Sequence, residues 1–402
     1  MKRKKADRLV FILFSCLLLL GSVSVALQFQ GVSGQRPEEI TETMVSTAPL
    51  ARKISREKVE EINLSLKEAL YYTQLEKGAV QCNLCPKLCL LRPGERGNCK
   101  VRVNYDGVLY TLVYGRIVAL HNDPIEKKPL MHFLPGARAL SLATAGCNLG
   151  CVFCQNWTIS QSYPEDARFV ALTPQAIVEI ARREDSRCIA YTYTEPTIFY
   201  EFMLDCARIA HEYGIKNVWV TAGYINREPL LELAKYMDAA NVDLKGIRDE
   251  YYQKYCDGHV KPVLETLKTL HDLGVHLEIT NLIVPEGNDS EEDIRDLVRW
   301  VRENIGPDAV LHFSRYFPAY RMESPPPTPL ATLLKARDIA LKEGLHYVYI
   351  GNIPGEGFED TYCKHCGKLL VKRAGYTILW DYYKIKEGRC PYCSEKIYGV
   401  WE

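Results

Sequence analysis

Seven short apolar runs, at 140–144, 188–192, 217–221, 240–244, 276–283, 311–315 and 346–350, recur along the chain with helical patterns between them. A strand that must give way to a helix before the next strand begins can pair with that strand only in parallel, with the helices covering the sheet. The expected fold is therefore α/β, a parallel (β/α) barrel, partial or full, since the sequence does not say how many strands close it. Helix ends support the reading. Thr173-Pro174 reads as an N-cap followed by proline in the first turn, and Asp289-Ser290 opens a helix that Gly306 closes. In such a barrel the working residues stand where strands hand over to loops at their carboxyl ends.

One such loop carries Cys147-Asn-Leu-Gly-Cys151-Val-Phe-Cys154, a C-x3-C-x2-C run directly after the first strand. Three thiolates this close can hold three corners of a cubic iron–sulfur cluster, whereas a cluster that only carries electrons is normally held by four. The fourth iron is then open to a small chelating molecule, and the amine, carboxylate and sulfonium of S-adenosylmethionine suit it. The competing readings are a zinc site short of one ligand, or three cysteines packed as hydrophobes. Phe153 would lie against an adenine ring or in the core. Glu195, after the second strand, would accept from a ligand's ammonium group or cap a helix N-terminus. Thr221-Ala222-Gly223 ends the third strand, where a glycine lets backbone approach a ligand. Asp243 and Lys245 fall on one side of the fourth strand, as a charged pair in the mouth or a plain surface pair. His312, Ser314 and Arg315 complete the polar ring, although His312 taken by itself is more often a satisfied core histidine than a functional one.

Most of the fifteen cysteines are grouped, in a pattern that belongs to metal ligands rather than disulfides. Cys82, Cys85, Cys89 and Cys99 suit zinc or a second, electron-relaying cluster, with zinc the first choice. Cys363, Cys366, Cys390 and Cys393 have zinc-ribbon spacing, and so short a segment needs its metal to fold. The expected layout is a leader at 1–30, a linker and amphipathic helix at 31–78 with the helix over 56–76, a Cys-rich β module at 79–130, the barrel at 131–357 and the ribbon at 358–402. Within the β module, alternation over 101–113 turns at Asp106-Gly107. The leader has Lys2, Arg3, Lys4, Lys5 and Arg8 before an apolar run, which reads as a signal peptide or anchor and gives a membrane-associated or exported protein, the side left open. Fifty basic residues balance fifty acidic ones, which argues against nucleic acid as a partner.

These residues resemble the radical S-adenosylmethionine superfamily, and more narrowly the radical enzyme of the AmmeMemoRadiSam system, related to pyruvate formate-lyase activating enzymes. The likeness runs from about Glu68 to the end. It includes Ala69-Leu70-Tyr71-Tyr72, Cys82-Asn-Leu-Cys85-Pro86, Gly97-Asn-Cys99 with Arg102, the triad followed by Gln155-Asn156-Trp157, Tyr193-Thr194-Glu195-Pro196 and the terminal ribbon. The resemblance implies that Cys147, Cys151 and Cys154 ligate a [4Fe-4S] cluster whose open iron binds the methionine end of S-adenosylmethionine. Relatives hold the methionine amine with Gly-Gly-Glu-Pro; here Thr194 replaces the second glycine and Glu195 inherits the role. Asp243, Lys245 and His312 match positions that help hold cofactor or a nearby cation. An external one-electron donor, an undetermined substrate and partner proteins of the same system are implied with it. A glycyl-radical activase, a non-catalytic iron–sulfur electron carrier and an RNA modifier docking through its ribbon are the other readings.

Overall fold

The computed structural model describes residues 51–353 and 357–402. Its centre is one eight-stranded sheet, β1 Ala119–Pro124, β2 Arg138–Ala143, β3 Cys188–Tyr191, β4 Lys216–Thr221, β5 Ala239–Asp243, β6 His276–Ile283, β7 Val310–Arg315 and β8 Tyr347–Gly351, hydrogen-bonded in chain order. The seven strands from β2 onward run parallel, and β1 joins β2 antiparallel. All seven expected strands are present. The sheet stays open because its edges, β1 and β8, do not pair, so the partial alternative holds.

Helices follow the strands: α1 Pro174–Arg183, α2 Tyr200–Glu212, α3 Arg227–Leu233, α4 Asp249–Cys256, α5 Val260–Asp272, α6 Glu291–Asn304 and α7 Leu330–Lys342. The Thr173 hydroxyl accepts from Ala176 N at 3.2 Å and that of Ser290 from Asp293 N at 3.1 Å, the two caps read from sequence. Alternation splits the strand side chains between two cores. Leu140, Leu142, Ile189, Tyr191 and Val242 pack outward under the helices, while Ala139, Cys188, Ala190, Val218 and Ala239 face inward with Ile125, Leu130 and Phe133.

The segment before the sheet departs from expectation. The helix expected over 56–76 stops at Glu61, capped by Ser55, and Asn63 turns the chain at φ +56°. Ser65 N then donates to Leu112 O and Ala69 N to Leu109 O, so the later apolar residues serve strands. Lys67–Glu68, Val108–Thr111 and Arg102–Tyr105 form one three-stranded sheet, with the hairpin read at Asp106-Gly107; Tyr72–Gln74, Val80–Cys82 and Leu90–Leu91 form another. Spacing of three and four was satisfied by burial on a small β surface, because the hairpin offered backbone partners that a lone helix lacks.

The tail forms two short antiparallel pairs, Thr361–Tyr362 with Leu369–Val371 and Arg373–Ala374 with Thr377–Ile378. It is seated on the sheet rather than hanging free. Leu370, Val371, Ile397 and Trp401 share a core with Met131, Val310, Tyr347 and Tyr349, and buried Arg373 donates to Met131 O at 2.7 Å. The membrane-associated or exported location expected from sequence is corrected: among the described residues no helix is long and apolar enough to cross a membrane. The leader at 1–30 that prompted it lies outside the described residues.

Candidate metal and cofactor site

The triad loop opens four residues after β2 ends, so it lies at the carboxyl edge of the sheet. Neighbouring segments pin its backbone. Gly150 N donates to Cys256 O at 2.9 Å, Val152 N to Tyr255 O at 2.9 Å, and Arg321 N to Val152 O at 3.0 Å. Side chains do the same, with Asn148 Nδ2 to Tyr224 O at 2.8 Å and Gln161 Nε2 to Leu149 O at 3.1 Å. These bonds fix the course of the loop from both flanks. Gly146, at φ +99°, makes the turn into it, and a Cβ there would stand 2.6 Å from Cys99 O and from Val101 Cγ1.

The three sulfurs sit in different surroundings. Cys151 is buried, Cys147 and Cys154 half-buried. Burial, then the Glu195 carboxylate, pushes the Cys147 thiol well up, and burial raises that of Cys154, whose sulfur meets Ser160 Oγ at 3.2 Å. Cys151 goes the other way, lowered first by a hydrogen bond from Cys256 and further by the Lys245 ammonium. Cys256 was not singled out from sequence as a site residue, since a lone cysteine at a helix end carries no signal of its own. Among the charges facing Cys256 are Cys151, Lys245 and Asp243.

Glu195 is buried beside the triad and its carboxylate accepts four bonds: from Thr197 N (3.1 Å), Thr197 Oγ1 (2.7 Å), Thr221 Oγ1 (2.7 Å) and Ala222 N (2.7 Å). The capping reading is realised, as Glu195 caps the short helical turn Pro196–Phe199, and its carboxylate also faces Cys147. Burial raises its pKa despite those donors. Thr221 thus acts as a positioning residue for Glu195. Gly223 also has a packing role. At φ +67° its missing Cβ would meet Val242 Cγ1 at 3.0 Å and Thr266 and Val263 at 3.4 Å, so the glycine lets this turn pack on α5.

Asp243 and Lys245 form the expected pair, at 2.9 Å, with the lysine mostly buried. Burial alone would lower the Lys245 pKa, but Asp243 and Cys151 outweigh it and hold the ammonium charged. Phe153 is 4% exposed and its ring lies against Tyr251, the core alternative. His312 is buried and hydrogen-bonded, as its core reading has it. Its Nε2 meets Glu278 Oε2 at 2.7 Å, and that carboxylate also takes His276 Nε2 (3.1 Å), Met131 N (3.0 Å) and His132 N (2.7 Å), toward the amino-terminal half of β6. Those bonds overcome burial and hold Glu278 well below the usual carboxylate range. An inward-facing strand position reads the same in sequence at either depth. Of the other ring members, Ser314 accepts from Asn352 and Arg315 donates to Thr328 O.

At the tail, Cys363, Cys366, Cys390 and Cys393 place all four Sγ atoms within 4.8 Å of one another. Cys363 to Cys393 is 3.6 Å and Cys366 to Cys390 3.7 Å, spacing that suits one small tetrahedral ion.

The chain is thus an open, mostly parallel α/β sheet with a three-thiol loop at its carboxyl edge, the edge where such folds place their working residues. The sequence pattern of the radical SAM superfamily matches residues 141–301. An uncharacterized protein of Methanocaldococcus jannaschii is 47% identical over 332 residues, covering 83% of this chain and 99% of its own. The pyruvate formate-lyase-activating enzyme of Clostridium pasteurianum is 26% identical over 179 residues, 42% of this chain and 71% of its own. Among solved structures, SuiB of Streptococcus suis bound to S-adenosylmethionine covers 57% of this chain and 53% of its own at 16% identity, with a TM-score of 0.44. The chain belongs to the radical SAM superfamily. Members of this family are generally enzymes, and membership implies a [4Fe-4S] cluster, S-adenosylmethionine and an external electron donor.

Proposed function

We propose that this chain reductively cleaves S-adenosylmethionine to a 5′-deoxyadenosyl radical that abstracts hydrogen from a substrate, with Cys147, Cys151 and Cys154 as the cluster ligands. The donor set supports the fit: three thiols on one pinned loop, beside a buried carboxylate and a buried ammonium. When bound, the cluster supplies one electron and an open iron position for the methionine end of the cofactor. The chain's own residues do the rest. Glu195, locked by Thr197, Thr221 and Ala222, presents fixed negative charge toward a ligand ammonium group. Lys245, kept charged by Asp243, offsets the negative charge gathered at Cys151. Zinc at Cys363, Cys366, Cys390 and Cys393 is proposed as structural, on their close spacing.

The single observation that carries this reading is the three-thiol loop at the sheet's carboxyl edge. Anaerobic reconstitution with iron and sulfide, then dithionite and S-adenosylmethionine, is expected to yield 5′-deoxyadenosine. A fully loaded protein that leaves S-adenosylmethionine intact overturns the reading in favour of an electron carrier. The likeness to the activating enzyme supports a second choice of substrate, a glycine of a partner protein. Appearance of a glycyl radical signal in such a partner would decide for it.

A further inference from the structure

The four cysteines before the sheet do not have the geometry of the four in the tail. Cys82, Cys85, Cys89 and Cys99 line one cavity of about 20 Å³, shared with Leu84, Lys87, Gly97, Arg102, Asn148 and Ile198. That space admits a water-sized sphere. Zinc stands about 2.3 Å from each sulfur, so four thiols set for one zinc ion leave no such room among them. The tail shows the contrast in the same molecule, with sulfurs 3.6 and 3.7 Å apart. Thiols spread around a walled void are set for a larger, polynuclear guest.

We infer that Cys82, Cys85, Cys89 and Cys99 hold an iron–sulfur cluster rather than a zinc ion, next to the triad. Arg102, almost wholly buried and paired with Glu201, donates Nη1 to Cys82 Sγ at 3.6 Å, and Lys87 at the wall pairs with Asp257 at 2.7 Å. Gly97 lies against two of the thiols, its Cβ position 3.6 Å from Cys89 Sγ and 3.7 Å from Cys99 Sγ. Asn148, inside the triad loop, is a wall of this cavity, and its buried Oδ1 lacks a hydrogen-bond partner among the described residues. With Cys99 O only 2.6 Å from where a Cβ of Gly146 would stand, the two thiol sets are neighbours across one loop.

The inference rests on the reading of the triad, and the test separates the two. The full chain, reconstituted anaerobically with iron and sulfide, is assayed for iron, sulfide and zinc and followed by Mössbauer and visible spectra before and after S-adenosylmethionine. The expected wild type carries about eight irons and about one zinc. A Cys147→Ala/Cys151→Ala/Cys154→Ala variant should keep about four irons whose spectrum ignores S-adenosylmethionine, and a Cys82→Ser/Cys85→Ser variant should keep about four that respond to it. About four irons with two zinc ions in the wild type, or a folded triad variant empty of iron, overturns the inference. Iron that survives the triad substitutions in full, and is lost only with Cys82 and Cys85, overturns the proposed function and leaves this inference standing. The wild-type metal ratio decides even if a variant does not fold.

Discussion

At the residue scale, the question that decides the chemistry is whether a fourth protein thiol completes the triad, and Cys256 is the candidate the structure supplies. Its place against Cys151, with Lys245 and Asp243 as its other charged neighbours, makes it a hydrogen-bond donor to one of the proposed ligands. A Cys256→Ala variant is therefore expected to keep its cluster and its 5′-deoxyadenosine formation, whereas Cys151→Ala loses both. Parallel iron assays and product chromatography check the pair. Gly223 gives a second test, in stability rather than chemistry. Gly223→Ala forces a Cβ against Val242 at a positive φ, which costs about 1–3 kcal/mol and appears as a lower Tm. The cysteine groups, Glu195, Asp243 and Lys245 were legible from sequence because their residue types and strand positions carry the signal. Thr197, Ala222 N and Cys256 were not, since a backbone amide, a threonine or a single thiol acquires its role only from what the fold sets beside it.

At the scale of elements, each strand of the parallel sheet could be found because burial on both faces leaves a compact apolar run bounded by helix caps. Thr173→Ala should cost about 1 kcal/mol in denaturant unfolding, through the lost bond to Ala176 N at the start of α1. Over 56–76, helical spacing of Val59, Ile62, Leu66, Ala69 and Leu70 marks apolar residues without fixing their element, and in the fold Val59 and Ala69 are buried, Ile62 and Leu66 half-buried and Leu70 exposed. Their partners came from strands at 102–111, more than thirty residues away, and no local pattern reports such a neighbour. The same holds for Gly223, whose reason for being glycine lies on α5.

Across the whole molecule, the tail and the sheet stabilise each other, and two measurements follow. Removing tail metal with a chelator, or a Cys393→Ser change, should loosen 358–402 and expose Trp401 while the parallel sheet persists, seen as faster amide exchange confined to the tail and its seat on Tyr347 and Tyr349. His132 joins the same seat, its Nδ1 donating to Tyr398 O and its Nε2 accepting from Tyr349 Oη, each at 2.6 Å. Burial holds it neutral, its pKa pushed down to about 3. Below the ordinary histidine range the unfolded chain binds the proton that the folded one refuses, so the contribution is fully present above about pH 6.5 and drains away as pH falls toward 3. Tm should drop over that window, and a His132→Gln variant should drop less steeply. The amino-acid sequence by itself determined the order of strands and helices, the grouping of thiols and the end of the sheet where chemistry belongs, because each is written in local spacing and residue type. Only the tertiary structure decided that the sheet stays open, that His312 spends itself on Glu278, and that one thiol quartet closes tightly while the other encloses a void. Those outcomes depend on distances between segments far apart in the chain, which packing sets and local pattern does not.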